Sequence, residues 1–319
     1  MFITVKSAAI RKALDMVKAI KATVFSVRVI DSTMYITAES GMAYQQSIPV
    51  QSGDVPAVTV TWVDANDLIP NRGDCEVEIG PNYLTLHGTS ARVTYSAAYS
   101  SLMLRKHEKI YSLELPKPGF SFLHLIMSPA KSLFGLMKRE RPLTIKDRKM
   151  FMTFPQIVLV ADCDFPNTQM SMDELEVLSK FSPEDFAIIE GLFVFYSGDA
   201  RLYFPRHETK DSVPEFKAKP LCRLNLEGLL TKFEKIGKIA KGRLIKVYIA
   251  DGTLYYSLQY PEFSVNCESK GQIIKSFEIP YEILIILLRL YDDYADVEEL
   301  NNVLCLKTDY LTTVVSVLC

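Results

Sequence analysis

Cysteine is scarce in this chain and carries no pattern. The six residues at 75, 163, 222, 267, 305 and 319 form no CxxC pair and keep no regular spacing. No disulfide framework and no zinc site is therefore expected; they read as small hydrophobes within strands, in a reducing compartment. Long apolar runs are missing too. The longest, from 283 to 288, stops at Arg289 and is roughly a third of a membrane span, so no transmembrane helix and no membrane partner is expected. The opening "MFITVKSAAIRKAL" has no charged lead, apolar block or small-residue cleavage site, and does not read as a signal peptide.

Catalytic signatures are absent as well. There is no Walker phosphate loop, GxGxxG, HExxH or GxSxG, and so no phosphate cradle, zincin helix or nucleophile elbow. The four histidines, 87, 107, 124 and 207, are scattered, without an acid in register to orient them, and packing or surface roles are expected. Asp162 and Asp164 in "ADCDF" could share a hard cation such as magnesium. Alternating carboxylates before Pro166 are more often turn residues. Tyr255, Tyr256 and Tyr260 suit a strand without invoking base stacking. The reading is a protein that is not an enzyme, with no catalytic residue, metal or cofactor. Bulk charge singles out no ligand either: 36 basic residues face 38 acidic ones, a formal net charge of −2. Only the distribution of charge could indicate nucleic acid.

What the chain has is a repeated pattern. Its 319 residues, 48% hydrophobic and 23% charged, suit a folded protein of two or three domains. "SAAIRKALDMVKAIKA" places Ile10, Ala13, Leu14 and Val17 on one helical face, with Ser7 as the expected N-cap. "VFSVRVIDSTMYITAES" then alternates at period two, with Phe25, Val27 and Val29 on one side and Met34, Ile36 and Ala38 after a turn; "AYQQSIPV" adds a third strand. Helix-then-strands recurs from about residues 63, 128, 171, 225 and 280, at intervals of 43 to 65 residues. Ser171 and Glu174 spell a capping box. Asn225 is the expected cap of the fifth helix, and "IADGTL" marks a hairpin with an Asp-Gly turn. Six such units pair naturally into three domains. "SLMLRKHEK" (101–109) and "ETKDSVPEFKAKP" (208–220) read as connectors, giving domains 1–104, 105–214 and 215–319.

With "FITVKSAAIRKALDMVKAI" leading to "MYITAESGMAYQQSIPV", then "VDANDLIPNRGDCEVEIGPNYLTLHGTSARVTYSA" and "FEIPYEILIILLRL", the chain resembles the DNA sliding clamps, the bacterial and bacteriophage polymerase III β-subunit-like processivity factors. The resemblance implies an α+β fold of three tandem clamp domains, each a pseudo-duplicated helix-plus-antiparallel-strands unit, forming a ring. It implies a head-to-tail homodimer that encircles double-stranded DNA without reading sequence. It further implies that a replicative polymerase and a clamp loader dock through short peptides, in the cytoplasm, at the nucleoid or the site of viral DNA replication. The docking groove of such clamps lies between the second and third domains and the C-terminus, which here means Pro214, Phe216, Val315, Val317 and Leu318. A Met-Pro-Met-like closing phrase is missing. The alternative is a clamp-like scaffold or a transcription or assembly factor that does not encircle DNA.

Charge distribution gives an independent check. A ring must neutralise phosphates without gripping them, through lysine and arginine on helix faces opposite the apolar stripe. The first helix has Arg11, Lys12, Lys18 and Lys21 against Asp15. The third has Lys131, Lys138, Arg139 and Arg141 against Glu140. In the fifth, Leu226, Leu229, Leu230, Phe233 and Ile236 form the apolar face, and Lys232, Lys235, Lys238 and Lys241 answer Glu227 and Glu234, with Arg243 beyond. Twelve bases to four acids on these three helices contrasts with the balanced whole. One such face is ordinarily just solvated; three sharing the bias make the DNA-binding set, to which Arg72 is added. The even-numbered helices do not share it: "MDELEVLSK" sets Asp173, Glu174 and Glu176 against Lys180.

Overall fold

The computed structural model describes residues 1–51, 53–61, 63–64, 69–70, 72–88, 91–99, 111–112, 143–153, 157–163, 165–189, 191–250, 253–258, 263–271, 277–291, 294–300, 303–309 and 311–316. The chain divides into two compact units, the first of residues 1–113 and 173–206, the second of 114–172 and 207–319. The expected middle segment, 105–214, contributes to both.

Unit 1 opens with β1 (Phe2–Lys6) and α1 (Ser7–Ala19). The meander β2 (Val24–Ile30), β3 (Thr33–Ser40) and β4 (Met42–Pro49) follows, then β5 (Val55–Thr61). A second meander is β6 (Asp74–Ile79), β7 (Tyr83–His87) and β8 (Arg92–Tyr99), and β9 (Tyr111–Ser112) is a short edge. Unit 2 begins with β10 (Leu143–Lys146), β11 (Lys149–Thr153), β12 (Ile157–Asp162) and β13 (Thr168–Met170). The chain returns to unit 1 for α2 (Met172–Phe181) and the meander β14 (Asp185–Ile189), β15 (Leu192–Ser197) and β16 (Ala200–Pro205). Unit 2 resumes with β17 (Lys219–Asn225), α3 (Leu229–Lys235), α4 (Gly237–Ala240), β18 (Leu244–Ala250), β19 (Thr253–Leu258), β20 (Phe263–Gly271) and β21 (Phe277–Pro280). It ends with α5 (Tyr281–Leu290), β22 (Tyr294–Leu300), β23 (Val303–Lys307) and β24 (Leu311–Ser316).

The alternation in β2 and β3 becomes cross-strand pairing. Phe25 lies opposite Ala38, Val27 opposite Ile36 and Val29 opposite Met34, all at most 2% exposed, so one sheet face packs against the core. Ile10, Ala13, Leu14 and Val17 of α1 are likewise buried. Each unit holds one twelve-stranded antiparallel sheet: β1-β6-β7-β8-β5-β2-β3-β4-β16-β15-β14-β9 and β13-β10-β11-β12-β24-β23-β22-β17-β20-β19-β18-β21. The last strand of one meander meets the last strand of another twice, β4 with β16 and β12 with β24. The two remaining last strands, β8 and β20, are paired on their second edge only at residues 97–99, with β5, and 269–271, with β17. Among the described residues, 92–96 and 263–268 have no second partner strand. No helix among the described residues is long and apolar enough to cross a membrane.

Three local expectations need correction. Ser7 does not cap α1: it is the first helical residue, fully buried, its amide donating to the Gly73 carbonyl while its hydroxyl finds no partner. Because β1 runs straight into α1, a neighbouring chain segment serves the free amide that a capping side chain would otherwise take. Asn225 does not cap α3 either. Its Oδ1 accepts from the Glu227 amide at 3.0 Å, a turn of its own, and the helix begins after Gly228 in the left-handed conformation. The fifth helix is not continuous. Tyr281 Oη donates to the Phe233 carbonyl at 2.9 Å, the acceptor that the Gly237 amide would use in an unbroken α-helix. The chain breaks there into α3 and α4. Strands β18 and β19 pair as expected up to Ala250 opposite Thr253; the Asp251-Gly252 turn lies outside the described residues.

Candidate nucleic-acid interface

In unit 1, α1 and α2 flank a cleft of about 770 Å³, lined by Arg11, Lys12, Asp15, Lys18 and Lys21 from the α1 side and Asp173, Glu176 and Lys180 from α2. The cations here are largely taken. Lys18 Nζ donates to Asp64 at 2.5 Å, and Lys21 Nζ to Asp173 at 2.7 Å. Lys180 lies 3.3 Å from Glu176, one helical turn away. Arg11 is half-buried, its Nη1 donating to the Ile69 carbonyl at 2.7 Å. The hydrogen bond and charge of Asp173 hold the Lys21 ammonium above the usual lysine range, since both favour the protonated form. Lys12 and Arg72 are exposed, and among the described residues no carboxylate pairs with either.

In unit 2, Phe233 anchors α3. It is fully buried and meets Tyr256 edge-on, with ring centroids 5.1 Å apart. Leu226 and Leu229 are buried beside it, as the apolar stripe requires. Lys232, Lys235, Lys238, Lys241 and Arg243 are all exposed. Among the described residues no carboxylate pairs with any of the five. Two nearby acids are engaged elsewhere: Glu234 binds Arg289 Nη2 at 2.9 Å, and Glu282 accepts from the Gly242 amide at 2.6 Å. Ile239 and Leu244 stand exposed among these cations.

The third cationic group, Lys131, Lys138, Arg139 and Arg141, lies outside the described residues. So do Val317 and Leu318 of the expected docking groove. Pro214 and Phe216 are half-buried in the connector between β16 and β17, and Val315 sits in β24 opposite Ile157. Asp211 ties that connector down. Its carboxylate accepts from Gln169 Nε2 at 2.9 Å and its carbonyl from Lys146 Nζ at 2.9 Å. Of the metal candidate, Asp162 ends β12 exposed and Asp164 lies outside the described residues.

No helix-by-helix charge count could have found Asp64 and Asp173 as partners of Lys18 and Lys21, because they lie 46 and 152 residues away.

No protein-family model and no curated protein matches the chain. Solved structures do. The Helicobacter pylori β clamp bound to a DNA ligase peptide superposes with a TM-score of 0.74 at 14% identity, covering 100% of both chains. The Bacillus subtilis DNA polymerase sliding clamp gives 0.74 at 11%, over 100% of this chain and 99% of that one. The Pseudomonas aeruginosa DNA polymerase III subunit β gives 0.72 at 12%, with 100% of both covered. The fold is therefore that of a DNA clamp. It is the clamp fold in the form taken by bacterial polymerase III β-subunits, matched along the full length of the chain, with antiparallel sheets and few helices among the described residues.

Proposed function

We propose that this chain is a DNA sliding clamp, a non-enzymatic ring that encircles duplex DNA and tethers a replicative polymerase. Full-length agreement with the clamp fold carries the reading, and the exposed cations of unit 2 supply the phosphate-attracting surface it needs. Domains 1–104, 105–214 and 215–319 are the ring segments. Two copies close it head to tail. The twice-repeated junction, β4 on β16 and β12 on β24, supports this, because β8 of one copy and β20 of the next are the equivalent strands left to make the same junction. A free strand edge is a ready template for such pairing.

The DNA-facing set comprises Arg11, Lys12, Lys18, Lys21, Arg72, Lys131, Lys138, Arg139, Arg141, Lys232, Lys235, Lys238, Lys241 and Arg243. Polymerase and clamp loader dock by short peptides at Pro214, Phe216, Val315, Val317 and Leu318; the H. pylori clamp of the same fold was solved with a ligase peptide. The site of action is wherever the cell or virus replicates its DNA.

Topology provides the test. Loaded onto nicked circular duplex, the protein stays through gel filtration and leaves when the circle is cut. Equal retention on circular and linear DNA would replace this reading with that of a basic scaffold that does not encircle.

A further inference from the structure

The two cationic helix surfaces carry similar charge in sequence but present different chemistry to a phosphate. We propose that DNA binding is concentrated on α3, α4 and the Lys241–Arg243 turn, and that Lys18 and Lys21 are withheld from DNA by their own carboxylates, Asp64 and Asp173. The proposal rests on the clamp reading and names which part of its lining works.

Ion exchange separates the two surfaces. When an unpaired lysine meets a DNA phosphate, a condensed counterion leaves the duplex and nothing else need change. Lys232, Lys235, Lys238, Lys241 and Arg243 are in that position: exposed, with no carboxylate partner among the described residues. Their acidic neighbours Glu234 and Glu282 are occupied by Arg289 and the Gly242 amide. Lys18 and Lys21 differ. A phosphate reaching them meets an ammonium whose charge a carboxylate already offsets, at 2.5 and 2.7 Å. It either displaces that carboxylate or binds beside it at one of the lysine's remaining donors, and in both cases the carboxylate's negative charge stays at the surface and holds a cation near it. The counterion released from the duplex is thereby offset, so such a lysine adds little to affinity or to its salt dependence. Asp173 belongs to the acidic first turn of α2, so an even-numbered helix that looked out of place on a DNA-binding surface acquires a role: it turns down an adjacent cationic one.

The test uses the full-length protein and a short duplex, with binding measured by fluorescence anisotropy across a salt series. The slope of log K against log salt falls by about 0.9 for each phosphate that is no longer neutralised. The Lys232→Ala, Lys235→Ala, Lys238→Ala triple variant is expected to flatten the slope by about 2.7 if all three touch phosphate. The Lys18→Ala, Lys21→Ala double variant leaves it nearly unchanged. The Asp64→Asn, Asp173→Asn double variant steepens it by as much as about 1.8, a gain that misfolding cannot imitate. An equal drop per lysine from the two surfaces, or no gain from the Asp variants, overturns the partition and leaves the clamp reading standing. Equal retention on circular and linear DNA in the topological assay overturns the clamp reading instead.

Discussion

Set side by side, α1 and the α3–α4 pair look alike in sequence and unlike in space. Each puts lysines opposite a buried apolar stripe. On α1 and just beyond it, Lys18 and Lys21 end on carboxylates and Arg11 on a backbone carbonyl. On α3, α4 and the turn that follows, the five cations stay exposed while Glu234 and Glu282 bind elsewhere. The lesson is that a helix's own charge count fixes what it could offer a phosphate. What it does offer depends on residues from distant parts of the chain.

The contrast can be broken at its foundations. Phe233→Ala removes the fully buried anchor of α3 and is expected to cost about 3–5 kcal/mol, lowering the melting temperature and DNA affinity together. Leu14→Ala, under α1, costs about 2–5 kcal/mol. It lowers the melting temperature too, but folded protein below the transition keeps nearly full DNA affinity. Denaturant melts paired with binding titrations check both.

The helix break sharpens the contrast. Tyr281→Phe loses the hydrogen bond to the Phe233 carbonyl and is expected to cost about 1 kcal/mol. Gly237→Ala alone is unfavourable, because a Cβ there would lie 2.9 Å from the Tyr281 hydroxyl oxygen. In the Tyr281→Phe background that clash is gone, and the helix preference of alanine over glycine, about 1 kcal/mol, acts unopposed. A double-mutant cycle by denaturant melting should therefore show strong coupling, and additivity would remove Tyr281 as the cause of the break.

The smallest effect is in pH. Asp173 raises the Lys21 pKa, so the pair is intact at neutral pH and through the ordinary lysine range. On the alkaline side it is lost as pH climbs through the raised value. NMR titration of the Lys21 side chain should show it deprotonating above the ordinary lysine range, and Asp173→Asn should bring it back down. The two side chains are 70% and 65% exposed, so the melting temperature at neutral pH should barely respond.

Much of this fold was legible because its determinants are local. Period-two alternation marked β2 and β3, and the i, i+3, i+4 stripe marked α1 with the right buried face. Of the three corrections, that of Asn225 is local, its side chain taken by the Glu227 amide two residues on; the causes of the other two are remote in sequence. Tyr281 breaks a helix that lies far before it in the chain, between Gly237 and its neighbours, and Gly73 receives the Ser7 amide that suggested a cap. The site was half legible for the same reason: the lysines can be read from helical spacing, and their carboxylate partners cannot.

Lysine footprinting tests the central claim most directly. The full-length protein would be acetylated with and without duplex DNA, and each lysine followed by mass spectrometry. Lys232, Lys235, Lys238 and Lys241 should be protected several-fold by DNA, with Lys18 and Lys21 reacting alike in both states. Protection of Lys18 and Lys21 to the same degree, or no protection of the α3–α4 lysines, would contradict it.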